Sequence, residues 1–126
     1  MEDINRVELR GRVARDAEFH LTQSQIPVTS FVLATTRTVT VEDGALKDFT
    51  DYHRIAAWRN LANHCADLRK GDACHVVGRL TTRTWTDGGG FKRYMTEVNA
   101  ASVEPLDLRT PVAAQVASVD LDEVPF

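Results

Sequence analysis

Along Val7–Val13 apolar and polar positions take turns: Val7, Leu9, Gly11 and Val13 alternate with Glu8, Arg10, Arg12 and Ala14. A period of two puts one set on a buried face and predicts a strand. Pro27 sets off a second strand over residues 29–36, β-branched and apolar, and the aromatic and apolar run over 51–58 predicts a third. Residues 37–50 between them are charged and contain Glu42, Asp43 and Gly44, the composition of a hairpin-type loop. The period then changes. Leu61, Cys65 and Leu68 fall at i, i+4 and i+7, one face of a short helix within 59–70. Arg69 and Lys70 suit the negative end of its dipole, and Gly71 supplies the stop.

In 73–86, Cys74, Val76, Gly78 and Leu80 alternate with His75, Val77, Arg79 and Thr81, which predicts a long fourth strand. Asp87 and the three glycines after it form a turn. Residues 92–103 return as a fifth strand with Tyr94, Thr96, Val98 and Ala100 on one side, so Tyr94 is expected in the core. Pro105 and Pro111 close the patterned region, and 110–126 carries too little pattern to pack. Three strands, one helix and two more strands describe an all-β domain, a five-stranded OB-fold barrel with a short helix between strands 3 and 4. Such barrels serve as platforms for single strands and oligosaccharides, but the architecture alone does not set the function.

A chain of 126 residues with 43% apolar and 26% charged side chains is one globular domain with room for a core. Its acidic N-terminus lacks the apolar stretch of a signal peptide, and no apolar run reaches membrane-spanning length. A cytoplasmic location is expected. The net charge of −3 is unevenly spread. Residues 110–126 hold Asp120, Asp122 and Glu123 and no Lys or Arg, so the 15 basic residues face 15 acidic ones in the rest of the chain. That neutral body still has enough arginine to gather on one face, and acidic tails are often interaction segments.

Cys65 and Cys74 are too few for a disulfide framework. Their His64-Cys65 and Cys74-His75 contexts raise the possibility of zinc, but adjacent residues point in different directions and the spacing matches no zinc pattern. Two buried structural thiols fit better. Catalytic constellations are poor as well. There is no phosphate loop, no Gly-x-Ser-x-Gly and no His-Glu-x-x-His, which leaves only His53, with Asp51 or Asp48 to orient it, as a hydrolase-type base. No metal, nucleotide or other cofactor is called for.

Binding has better material. Tyr52, Arg54 and Trp58 share one parity of the third strand, and Arg79, Arg83 and Trp85 share one of the fourth. Aromatic rings mixed with cations on one face suit single-strand binding, where cations follow phosphates and each stacked base contributes about 1–3 kcal/mol. Rings belonging to the core would sit among apolar neighbours instead. Phe19, close to Arg15 and His20, suits either setting and is kept among the interface candidates with Arg37, Arg59, Lys70 and Arg93.

Several stretches carry a family resemblance: Asn5-Arg-Val-Glu-Leu-Arg-Gly11, Phe31-Val-Leu-Ala-Thr35, Tyr52-His-Arg-Ile55, Leu68-Arg-Lys-Gly71, the segment from Val77 through Arg83-Thr-Trp85-Thr-Asp87, and Arg93-Tyr-Met-Thr-Glu-Val98. With these the chain resembles the bacterial single-stranded DNA-binding proteins over about residues 4–103. The terminal Asp120-Leu-Asp-Glu-Val-Pro-Phe126 is similar to that family's acidic tip. The resemblance implies an OB-fold domain over 1–105, a disordered tail over 106–126, and sequence-independent protection of single-stranded DNA in replication, recombination and repair. It also implies a homotetramer located at the nucleoid. Tyr52, Trp58 and Trp85 fall at its stacking positions, and Arg54, Arg83 and Lys70 at positions expected to meet phosphates. His53 falls at a strand histidine of its subunit interface. Asp120, Asp122, Glu123, Val124, Pro125 and Phe126 would recruit replication and repair proteins.

The chain also departs from the family pattern. Val39 stands where many members have Trp, Asn60 where Lys is common and Ala14 where Gly is common. About 15 residues separate Val103 from the tip, a reach of at most about 50 Å when extended, where most members have a long linker. A specialised paralogue is one expectation; an RNA-binding or primosome-component OB protein is the alternative within binding modules.

Overall fold

The computed structural model of the chain describes residues 1–106. The tip candidates from Asp120 to Phe126 lie outside the described residues. The elements are β1 (Val7–Val13), β2 (Glu18–Leu21), β3 (Pro27–Thr40), β4 (Leu46–Trp58), α1 (Asn60–Cys65), β5 (Ala73–Thr86) and β6 (Lys92–Leu106). The strands run in the order β1-β5-β6-β4-β3-β2, and a further pairing of β1 with β3 closes five of them into a barrel. The pairs are antiparallel except β4 with β6, which meet in parallel at Ile55↔Val98 and Ala56↔Asn99. This is the expected OB-fold barrel, with its helix between the third and fourth barrel strands.

The core follows the alternation of the strands. Val13, Phe31, Leu33, Ile55, Ala57, Cys74, Val76, Val98, Ala100 and Val103 meet inside, with Val7 and Leu9 packed against them. Two glycines let the backbones come close enough to close the barrel. A Cβ on Gly11 would collide with the Ala34 carbonyl of β3, where β1 changes partners, and one on Gly78 with the Asn99 carbonyl of β6. At Gly78 the β5–β6 register slips: Val77 pairs with Ser102 but Gly78 with Ala100, which leaves Ala101 as the extra residue of a bulge. The bulge explains why Val98, Ala100 and Val103 are all buried although simple alternation cannot hold all three.

Helix α1 has six residues, shorter than the 59–70 expected, but it buries Ala62 and Cys65, and Leu68 follows them inward from the next turn. The buried Thr29 hydroxyl donates to the Ala62 carbonyl at 2.6 Å and holds the helix against β3. Both thiols are free and buried. Burial pushes Cys65 up to about 11 and Cys74 to about 12, the latter helped by Cys65 and Asp72 nearby. Among the described residues no His, Cys, Asp and Glu side chains group in a way that holds a metal, and no helix is long and apolar enough to cross a membrane.

Three expectations need correction. Residues 37–50 are not chiefly loop: β3 and β4 continue as a hairpin to Thr40↔Leu46, because Thr and Val run through the charges and only the turn around Gly44 breaks the ladder. A short strand, β2, precedes Pro27; its four residues are all exposed and so lack a two-period burial signal. Tyr94 is not core. It has the parity of Val98 but sits where the β5–β6 hairpin has left the barrel, and it is 65% exposed; Leu80, across from Val98, is exposed too.

Candidate nucleic-acid interface

Strand register decides which side chains share a surface. On β4 the odd positions Ile55 and Ala57 point into the core, so Tyr52, Arg54, Ala56 and Trp58 point to the outer face. Pairing sets Ala34 beside Tyr52, Val32 beside Arg54 and Val28 beside Trp58. His20 of β2 pairs with Val28 in turn, so His20, Val28 and Trp58 make one row across three strands. On the neighbouring hairpin the outer positions pair as Thr81 with Glu97, Arg83 with Met95 and Trp85 with Arg93.

The rings in these rows are solvent-accessible: Tyr52 is 68% exposed, Trp58 38% and Trp85 42%. Their cross-strand neighbours on β3, Val28, Val32 and Ala34, are small, and the exposure of the rings sets them apart from core aromatics. Arg54 and Arg83 line one groove with Arg15, Ser30 and Val32. Acids in this groove set the arginine positions. Glu97 Oε1 lies 3.1 Å from Arg83 Nε, and Arg83 Nη2 also donates to the Met95 sulfur at 3.4 Å. Asp16 lines the same groove, accepts the Lys70 backbone amide at 2.9 Å and lies 3.7 Å from Arg69 Nη1, so the turn carrying Lys70 is fixed at the groove's rim.

Arg93 donates from Nε to Asp87 at 2.7 Å. That bond, with the Phe91 and Gly89 amides, holds the Asp87 carboxyl below its usual range. The turn thereby fixes Arg93 beside Trp85. Arg59 follows Trp58 with φ of 59° and ψ of −127°, a left-handed conformation that costs a non-glycine residue about 1–3 kcal/mol. Its amide still bonds the Pro27 carbonyl at 2.9 Å, so the chain turns a corner there with the guanidinium exposed.

The structure brings Tyr52, Arg54, Trp58, Arg83, Trp85 and Arg93 onto one outer face, with Lys70 at its rim and Arg59 at its corner. It does not place Phe19 or Arg37 there. Phe19 pairs with the buried Thr29 and so lies on the opposite side of β2 from His20, and Arg37 lies on the side of β3 that continues the core face. Arg15, His20 and Met95 were missed as members of the outer surface. None had a legible sign in the sequence: His20 and Met95 follow from pairing across strands, and Arg15 from its place in the groove. The hydrolase-type base is not assembled. The His53 ring bonds the Thr35 hydroxyl at 2.8 Å, Asp51 lies 3.8 Å from Arg37, and Asp48 accepts from Thr38 at 2.7 Å.

A profile of the single-strand binding protein family matches residues 4–106. The chain belongs to this family. It is therefore a binding protein and not an enzyme. A single-stranded DNA-binding protein of Caldanaerobacter subterraneus subsp. tengcongensis is 39% identical over 105 residues, covering 82% of this chain and 69% of that one. One from Thermus thermophilus is 35% identical over 128 residues, covering 95% of this chain, which spans 47% of that longer relative. Among solved structures, a Plasmodium falciparum SSB complex with single-stranded DNA superposes with a TM-score of 0.76 at 28% identity, covering 85% of this chain and 98% of that one. The Thermus aquaticus single-stranded DNA binding protein, as a deletion mutant, gives 0.74 at 29% identity over 84% of this chain and 52% of its own.

Proposed function

We propose that this protein binds single-stranded DNA without sequence preference through the outer face of β4, β5 and β6. The observation that carries this reading is the exposed row of Tyr52, Trp58 and Trp85 interleaved with Arg54 and Arg83, in a family whose members bind single strands. Bases stack on the three rings, while Arg54, Arg59, Arg83, Arg93 and Lys70 meet phosphates. Duplex DNA pairs its bases away from such rings, so affinity separates single from double strands. Each neutralised phosphate adds about −0.7 to the slope of log affinity against log salt.

Homotetramer formation, with strands wrapped around several barrels, belongs to the same proposal. So do service in replication, recombination and repair at the nucleoid, and recruitment of partner proteins by the tip from Asp120 to Phe126. There the carboxylates of Asp120, Asp122 and Glu123 steer the approach to basic pockets that take Val124, Pro125 and Phe126. Fluorescence anisotropy with labelled poly(dT), poly(U) and duplex DNA tests the central step. Tight, salt-sensitive binding of poly(dT) with weak duplex binding is expected. Equal affinity for duplex contradicts the proposal, and a preference for poly(U) favours the RNA-binding alternative. Removing the last seven residues (120–126) is expected to abolish capture of replication and repair proteins without weakening DNA binding; unchanged capture refutes the role of the tip.

A further inference from the structure

Phe49 and Tyr94 lie outside the outer row, yet both are exposed aromatics, with two cations at the Phe49 ring and one at the Tyr94 ring. Arg37 lies 5.2 Å and Lys47 5.4 Å from the centre of the Phe49 ring, and Lys92 lies 5.7 Å from that of Tyr94. Their parity locates them. Phe49 shares the side of β4 that holds Ile55 and Ala57, and Tyr94 the side of β6 that holds Val98 and Ala100. Both sides leave the core where β4 and β6 part, beyond their parallel contact at Ile55↔Val98. The two hairpins therefore continue past the barrel in the same direction, with formerly core-facing surfaces now in solvent.

A cleft opens where they separate, lined by Tyr52, His53 and Arg54 from one hairpin and Leu80, Thr96, Val98 and Glu97, whose carboxylate is paired with Arg83, from the other. Tyr52 and Arg54 belong to the outer face, and His53, Leu80 and Val98 to the inner one, so the cleft joins the two surfaces. Charge on the inner sides is predominantly positive. The register places Arg37, Lys47 and Lys92 there against a single carboxylate, Asp51, which is 3.8 Å from Arg37. Rings with cations beside them, continuous with a single-strand surface, fit a polyanion with π-faces rather than another protein's apolar patch.

We infer that the inner faces of the two hairpins form a second track for single-stranded DNA, in which Phe49 and Tyr94 stack bases and Arg37, Lys47 and Lys92 meet phosphates. The inference rests on single-strand binding by the outer face and extends the path through the cleft. Arg37, absent from the outer row, has its role here.

The full chain is titrated with poly(dT) beside its Phe49→Leu, Tyr94→Leu and Trp85→Ala variants. Phe49→Leu and Tyr94→Leu are each expected to weaken binding roughly 5- to 150-fold, the range of a lost base stack. Phe49→Trp and Tyr94→Phe keep wild-type affinity, and Lys47→Ala flattens the salt slope by about 0.7. Thermal unfolding and sedimentation of the leucine variants are expected to match the wild type. If both leucine variants bind normally while Trp85→Ala does not, the inner track is refuted and the outer face stands. A changed assembly state with unchanged DNA affinity refutes it too, as a subunit contact. A wild-type chain that ignores poly(dT) removes both readings. Photocrosslinking of the wild type to iodouracil-substituted strands is independent of variant folding: adducts on Phe49 or Tyr94 support the track, and adducts confined to Tyr52, Trp58 and Trp85 overturn it.

Discussion

Trp85 and Arg59 stand at opposite ends of the outer face, and the environment of each separates binding from stability. Trp85 pairs across the strand with Arg93 and is exposed. Trp85→Ala is expected to weaken poly(dT) binding by about 1–3 kcal/mol while leaving the urea midpoint nearly unchanged. Early unfolding with normal binding would make Trp85 a packing residue. Arg59 carries an exposed guanidinium on a backbone that glycine adopts more easily. Arg59→Gly is expected to gain about 1 kcal/mol in urea unfolding, relief of strain outweighing the looser unfolded chain, and to lose DNA affinity in the same preparation. Arg54, Trp58, Arg83 and Trp85 were readable from the sequence because parity alone sets them on a face. Phe19 and Arg37 were not, since nearness in sequence to other cations says nothing about which side of a strand a residue takes.

At the scale of elements, the β5–β6 hairpin depends on Asp87, whose carboxylate accepts the Gly89 and Phe91 amides at 3.0 Å each and Arg93 at 2.7 Å. Its depressed pKa means the folded state keeps this group ionised at pH values where the unfolded chain protonates it. The stabilisation is thus present above the ordinary carboxylate value, about 3.9, and is lost as pH falls through the lower folded-state value. The difference in thermal stability between wild type and Asp87→Asn is therefore expected to be positive at neutral pH and to vanish in acid. A gap that persists in acid would mean a role for Asp87 other than charge. Barrel closure has its own test. Gly11→Ala sets a methyl against the Ala34 carbonyl and is expected to cost about 1–3 kcal/mol in urea unfolding. The sequence showed β1, β5 and the helix face clearly, because one side of each is buried. It hid β2, the outer halves of β3 and β4, and the bulge at Ala101, since exposed strands lose the two-period contrast and a bulge reverses it partway. The same blindness assigned Tyr94 to the core: parity continues along a strand after the core has ended.

At the scale of the whole molecule, one core holds the barrel and helix together while the two hairpins project with both sides in water. Cys65 and Cys74 report on that core. With pKa values of about 11 and about 12 they stay protonated, and a thiol reagent at about pH 8 is expected to leave the native protein unlabelled and to titrate both once it unfolds. Their raised values stabilise the fold below the ordinary thiol value of 9.0 and cease to do so as pH rises toward those of the folded state, so alkaline unfolding should steepen in that range. The central claim, that the outer face takes up single-stranded DNA, meets its most direct test in the two tryptophans, because Trp58 and Trp85 both lie on that face and the chain has no others. Intrinsic fluorescence is followed while poly(dT) is added at low and at high salt, with duplex DNA as the comparison. Strong quenching by poly(dT), partly reversed by salt and nearly absent with duplex, is the predicted result. Unchanged emission while poly(dT) binds would mean that no base reaches either ring, and the outer face would not be the binding surface.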